Sequence, residues 1–334
     1  MNLLSPQNKS VILFFLFAGV AIIVSLILLV LAITFFPITI GLFFIVKYTP
    51  IRHTFVKIYH QIYDYLFYQS EKPRKILWGF IYDFMCAYFP LNKWRAMNYG
   101  YAILNENGRI LNNLDEQQEE ERFCLQLYHM VATNCLKLKD LQGKRVLEVG
   151  SGRGGGLHYI HSSLKPEYCV GVDYSQNQVD FCKTTYGSSQ KLQYMQGDAE
   201  NLTNLNIQSF DLIINVESSH CYGNFQRFVQ EVTKLLNTGG LFVITDFRAA
   251  QEIKQFEQDL QSTGLKLENK VDITINVLQA LKLDEKRKQQ WMTRHCGIIF
   301  RKFFSKFSGV QSSRIFQEFS ERKTLYLIYA LRKV

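Results

Sequence analysis

The chain has 334 residues and a formal net charge of +9, from 38 Lys/Arg against 29 Asp/Glu; the length suits one large or two small domains. Its seven cysteines show no paired C-x-x-C spacing, which excludes a disulfide framework and a zinc site of that kind and fits reduced thiols in a cytosolic compartment. Residues 1–100 hold nine Lys/Arg and three Asp/Glu, so most of the basic excess lies near the N-terminus, where it reads as attraction to anionic lipid rather than to nucleic acid.

Residues 10–46 carry no charged side chain. The run is too long for a secretory signal, and as one straight helix it would exceed the roughly 30 Å hydrocarbon core of a bilayer. It is expected to span once, near residues 11–33, to break at Pro37, and to turn back or lie in the surface over 38–46. Lys9 precedes the run, whereas Lys47, Arg52, Lys57, Lys72, Arg74, Lys75, Lys93 and Arg95 follow it. The bulk of the chain is therefore expected on the cytosolic side of a membrane. That suits the endoplasmic reticulum, with a mitochondrial inner-membrane protein facing the matrix as the alternative.

Phe55, Ile58, Tyr59, Ile62, Tyr63, Leu66 and Phe67 make one apolar helical face, and 76–89 is a second aromatic-rich segment. Residues 1–50 thus read as an anchor and 51–93 as interface helices or a linker. Residues 94–334 read as the chemical domain, with a cap over 94–142 and a core over 143–334. Within the core, β-branched runs at 145–149, 169–172, 192–195, 212–216, 241–245, 265–271 and 324–331 are expected strands. Helices are expected near 156–164, 175–186, 224–236, 249–262 and 275–307. Short strands alternating with amphipathic stretches predict an α/β, Rossmann-like seven-stranded sheet with helices on both faces. Lys282, Lys286, Arg287, Lys288 and Arg294 read as a solvated helix face.

The first chemical motif is Val146-Leu-Glu-Val-Gly-Ser-Gly-Arg-Gly-Gly-Gly156, a strand running into a glycine turn. Gly150, Gly152 and Gly155 match the dinucleotide spacing, while Gly150, Gly152 and Gly154 match G-x-G-x-G. Glu148 suits a ligand with a free amino group and would repel a pyrophosphate; Ser151 lies within the turn. Asp173, followed by Tyr174 and Ser175, falls at the second strand end, where a carboxylate can accept from ribose hydroxyls. Asp198, followed by Ala199, falls after the third strand, placed for an adenine amino group. Carboxylates at three successive strand ends favour S-adenosylmethionine over a dinucleotide. No residue set points to a metal.

After the fourth strand comes Asn215-Val-Glu-Ser-Ser-His-Cys-Tyr222, with Asn215 and Val216 at the cofactor end. This stretch, together with Met97-Asn-Tyr-Gly-Tyr101, Gln126-Leu-Tyr-His-Met-Val131, Gly197-Asp-Ala-Glu-Asn-Leu202 and Thr245-Asp-Phe-Arg248, resembles the phthiotriolone/phenolphthiocerol dimycocerosate methyltransferase-like group. These are class I S-adenosylmethionine-dependent methyltransferases related to the sterol methyltransferases, and the resemblance runs from about Trp94 to the C-terminus. It implies O-methylation of a lipophilic acceptor, or transfer to a sterol-like or prenyl-quinol one. His220 is the candidate base, and His129 is a second. Glu217 would hold His220 or face a sulfonium, and Tyr99 and Tyr101 would close over the cofactor. The alternatives are a C-methyltransferase on a sterol or quinone, and a non-catalytic subunit of a membrane protein complex. Membrane lipids are expected partners, and nucleic acid is not.

Overall fold

The computed structural model describes residues 78–79, 94–112, 114–133, 136–187, 189–295, 301 and 308–334. The apolar run 10–46 and, apart from residues 78 and 79, the interface helices or linker expected over 51–93 lie outside the described residues. The chain divides into two units, Met1–Gln69 and Ser70–Val334, and every described residue belongs to the second. Among the described residues no helix is long and apolar enough to cross a membrane.

The sheet of this unit has seven strands: β1 (Arg145–Val149), β2 (Tyr168–Asp173), β3 (Leu192–Gln196), β4 (Phe210–Val216), β5 (Leu236–Ala249), β6 (Lys266–Asp272) and β7 (Thr324–Arg332). Their order is β3-β2-β1-β4-β5-β7-β6. β1 to β5 pair in parallel, and β7 is antiparallel to both β5 and β6. Every strand expected from β-branched runs is present. The helices are α1 (Glu116–Glu120), α2 (Arg122–Ala132), α3 (Gly155–Leu164), α4 (Gln176–Tyr186), α5 (Phe225–Leu235), α6 (Ile253–Gln261), α7 (Thr274–His295) and α8 (Arg314–Ser320).

Alternation along the strands supplies apolar side chains to both layers. Val146, Leu212, Ile214 and Val243 pack with Leu127 of α2 and Leu157 and Ile160 of α3. Leu147, Val149, Ile213 and Ile244 pack with Phe228, Val229 and Val232 of α5 and Leu260 of α6. Each fully buried side chain of this kind contributes up to about 1.5–3 kcal/mol. Local signals set the helix starts: Ser175 caps α4 by accepting from the Gln178 N–H, and Asn224 caps α5 by accepting from the Arg227 N–H.

α1, α2 and α8 were not legible as separate helices. In α2 the inward face includes Arg122, Gln126 and Tyr128, which blurs the apolar period. The Gln126 amide is nonetheless saturated. It donates to the Tyr101 and Gly108 carbonyls and accepts from the Ile110 and Leu111 N–H groups, fixing the loop that leads to α1.

Tyr128 crosses from α2 to the sheet and closes over Gly156, where a Cβ would fall 1.9 Å from the ring. Gly156→Ala should therefore destabilise the protein by about 1–3 kcal/mol through overpacking, although alanine is the better helix former. Thermal and denaturant unfolding would show this, and an unchanged or higher midpoint would mean that Tyr128 yields.

Candidate active site

β1 ends in a turn whose Gly150, Gly152 and Gly154 have φ of 75°, 51° and 72°, a region that side chains with a Cβ rarely adopt. Gly155 does not share it. The positive-φ positions thus follow the 150-152-154 spacing, while a Cβ at Gly155 would fall 2.6 Å from the Arg95 backbone, so close packing needs a glycine there too. The Gly152 N–H donates to Asp173 Oδ2 at 2.7 Å, and the Ser175 N–H donates to Oδ1 at 2.9 Å. Asp173 therefore ties the first strand end to the second and keeps acceptor capacity for a ligand, since an ionised carboxylate offers about four lone-pair sites. Asp198 caps the following 3₁₀ turn by accepting from the Glu200 N–H.

A cavity opens over these strand ends, at the point where strand order reverses between β1 and β4. Of the residues expected from sequence, Gly150, Ser151, Gly152, Asp173, Tyr174, Ser175, Asp198, Ala199, Val216 and Glu217 line it. Trp78, Met97 and Tyr222 add an apolar and aromatic wall. Ser151 Oγ and both amide atoms of Gln178 are buried without a protein partner and belong to lining residues. Buried polar groups are seldom left so, and S-adenosylmethionine, with its hydroxyls, amine and adenine, brings donors and acceptors that fit them.

Other expected residues stand behind the wall. Glu148 is fully buried and accepts from the Tyr128 hydroxyl at 2.7 Å; burial, with Asp173 nearby, pushes its carboxyl up to about 8. It buttresses the turn and does not reach the cavity. Gly154 lies where a Cβ would strike Cys182 and Tyr194. Asn215 donates to the Val149 carbonyl and to the Ser218 and Tyr222 hydroxyls, pinning β4 to the turn. His129 faces Tyr159, 2.9 Å from its hydroxyl, and is not a lining residue. The Tyr99 ring packs on Phe247 and Phe319 rather than over the cavity, and Tyr101 contributes its backbone to α2.

Glu217, just beyond β4, has a φ of 46°, a conformation that costs a non-glycine residue about 1–3 kcal/mol. Its Oε1 accepts from the Tyr99 N–H at 2.6 Å and the Tyr326 hydroxyl at 2.5 Å. Burial raises this carboxyl to about 7. Of its two expected roles, holding His220 falls to another residue: His220 Nδ1 lies 2.9 Å from Asp246 Oδ1. Asp246 Oδ2 also accepts from the His220 N–H and the Ser219 hydroxyl. Arg248 stands 3.2 Å from the same carboxylate and over the Phe256 ring. Burial alone would lower the His220 pKa, but Cys221 and Asp246 outweigh it and hold the ring up to about 10. Asp246 is buried too, yet its partners hold it well below the usual carboxylate range. Asp246 carries on β5 the strand-end carboxylate signal that Asp173 carries on β2, so it and Arg248 are visible in the Thr245-Asp-Phe-Arg248 stretch, but the pairing with His220 is not.

A family model for the methyltransferase domain matches residues 147–244. The phthiotriol/phenolphthiotriol dimycocerosates methyltransferase of Mycobacterium tuberculosis (strain ATCC 25177 / H37Ra) is 32% identical over 264 residues, covering 79% of this chain and 94% of the relative. The chain belongs to this methyltransferase family. A fatty-acid O-methyltransferase of Mycolicibacterium smegmatis is 32% identical over 237 residues, 71% of this chain and 82% of its own. Among solved structures, the [4+2]-cyclase SpnF aligns with a TM-score of 0.58 at 18% identity, covering 76% of this chain and 95% of its own. The cyclopropane synthase MmaA2 from Mycobacterium tuberculosis does so at 0.58 and 14%, covering 75% and 98%. Those two show the fold alone, since one fold hosts several chemistries. The family member described here is an S-adenosylmethionine-dependent methyltransferase.

Asp173→Ala should weaken S-adenosylmethionine binding at least about ten-fold, because it removes a part-buried acceptor and loosens the turn; calorimetric titration would read this. Asp246→Ala should cost about 3–5 kcal/mol of stability by leaving His220 and Arg248 without their buried counter-charge. The His220 share of that loss is full below the ordinary histidine pKa of 6.5 and fades as pH rises towards about 10. Denaturant unfolding at pH 6 and pH 9 would therefore show the larger deficit at pH 6.

Proposed function

We propose that this methyltransferase transfers the methyl group to an oxygen of a membrane lipid, with Glu217 taking the acceptor's proton. The observation that carries the reading is Glu217 itself: a carboxylate on the cavity wall, oriented through one oxygen by Tyr99 and Tyr326, with a pKa near 7. A general base works best when its pKa is close to the operating pH. His220, held up to about 10 by its neighbours, is protonated at neutral pH and serves as the cationic partner of Asp246.

S-adenosylmethionine supplies an activated methyl group on a sulfonium centre. Asp173, Asp198, Ser151 and Gln178 would hold its polar parts, while Trp78, Met97 and Tyr222 offer an apolar wall to the acceptor and exclude water. The lipid class is supported by relatives named for phthiotriol dimycocerosates and for a fatty acid. The charge-free run 10–46 supports delivery from a bilayer, with the catalytic unit on the cytosolic side.

Incubating the full chain with methyl-labelled cofactor and extracted membrane lipids, then locating the label by mass spectrometry, tests the acceptor; label on a ring carbon would overturn O-methylation. Activity should rise with pH through about 7, as Glu217 loses its proton. Glu217→Gln should abolish that limb and lower kcat by about 10²–10⁴. A Gln variant with full activity would exclude a hydroxyl acceptor that depends on this base, since an ionised fatty acid needs none.

A further inference from the structure

Helix α7 is amphipathic in an unusual sense. Its inward side carries Val277, Ala280, Leu281 and Met292. Asp284 is also buried there and pairs with Arg287 and Lys288. The five cations that the sequence groups on one face are thus divided by the structure. Lys282, Lys286 and Arg294 remain exposed, and none makes an ion pair among the described residues.

At about 100° per residue, Ile275, Gln279, Lys282, Leu283, Lys286, Gln290 and Arg294 fall within an arc of about 120°. That arc contains no carboxylate. It also exposes two aliphatic side chains, Ile275 at 56% and Leu283 at 37%. The segment 102–109 runs alongside it. Ala102 and Asn276 exchange two hydrogen bonds, and Gln279 donates to the Asn105 carbonyl. A Cβ at Gly108 would touch Leu283. This loop adds Leu104, 59% exposed, while its Glu106 and Arg109 offset each other in charge. Three of the large exposed hydrophobics among the described residues therefore gather on one side, interleaved with lysines.

We propose that this face, α7 with the 102–109 loop, docks on an anionic lipid bilayer. Aliphatic tips insert at the headgroup boundary while flexible lysines reach phosphates, the combination that holds surface-lying amphipathic helices. A protein partner fits less well, because protein interfaces are depleted in lysine and enriched in aromatic residues, and this arc has no aromatic side chain. The surface lies outside the cavity and carries none of the residues assigned to chemistry, so the inference stands whatever the acceptor proves to be.

The test uses the full chain in vesicles and measures acetylation of individual lysines by mass spectrometry. Lys282 and Lys286 should be protected about five-fold in vesicles with roughly one-third phosphatidylglycerol relative to phosphatidylcholine alone. The protection should shrink as salt is raised. Lys183 on α4 and Lys254 on α6, exposed elsewhere, should not change. Lys282→Glu with Lys286→Glu should leave cofactor binding in detergent intact. Arg294→Glu alone should lower the protection of the two lysines. Equal labelling in both vesicle types would overturn the proposal. So would protection in detergent that grows with protein concentration, which would indicate a second copy of the chain.

Discussion

Five carboxylates stand at or just beyond the C-terminal ends of parallel strands: Glu148 on β1, Asp173 on β2, Asp198 after β3, Glu217 after β4 and Asp246 on β5. Burying Glu148, Glu217 and Asp246 is costly unless a partner offsets it. Glu148 and Glu217 are driven upward by burial and, further, by the neighbouring Asp173 and Asp246 respectively. Asp246, paired with His220 and Arg248, is instead driven down. At the cavity Asp173 and Asp198 offer carboxylate acceptors, and Arg95 and Arg153 share the lining, so a ligand rich in hydrogen-bond donors fits there. S-adenosylmethionine, with ribose hydroxyls, an amine and an adenine, meets that requirement.

The second constraint is the segment leading into the domain. Glu121 accepts from the Arg95 and Ala96 N–H groups, Gly155 donates to the Arg95 carbonyl, and Glu217 accepts from the Tyr99 N–H. Residues 94–101 are thus fastened to α2, to the start of α3 and to the residue after β4, and Met97 lies against Gly152. The contacts that hold this strap also orient Glu217, so shape and chemistry share bonds. Buried Arg153 completes the seam, placed over the rings of Trp94 and Phe181 and donating to the Trp94 carbonyl.

Much of this was legible in the chain. The strands were, because a sheet buried on both faces demands runs such as Val170–Val172 and Ile213–Ile214 with few polar interruptions. The carboxylates after the early strands were too, since a topological switch point places strand ends beside a ligand. The cap was less legible, because Gln126 and Arg122 are polar yet buried and their role depends on carbonyls distant in sequence. Tyr99 and Tyr101 are expected from sequence to close over the cofactor, but whether their rings or their backbones serve the site depends on how β7 and α8 pack.

The sequence by itself determined the layered α/β architecture, the glycine turn and the class of ligand, because strand period, backbone freedom and residue charge are local properties. Only the tertiary structure decided which carboxylate holds which partner. Glu217 and Asp246 lie 29 positions apart and are both near His220 in space; Asp246 reaches the ring because it sits on β5 directly beside the turn after β4. Glu217 is instead taken by Tyr326 from β7, a strand that enters the sheet antiparallel from the far end of the chain. A pKa near 7 or near 10 arises from such burial and pairing, and neither exists until the distant segments have met.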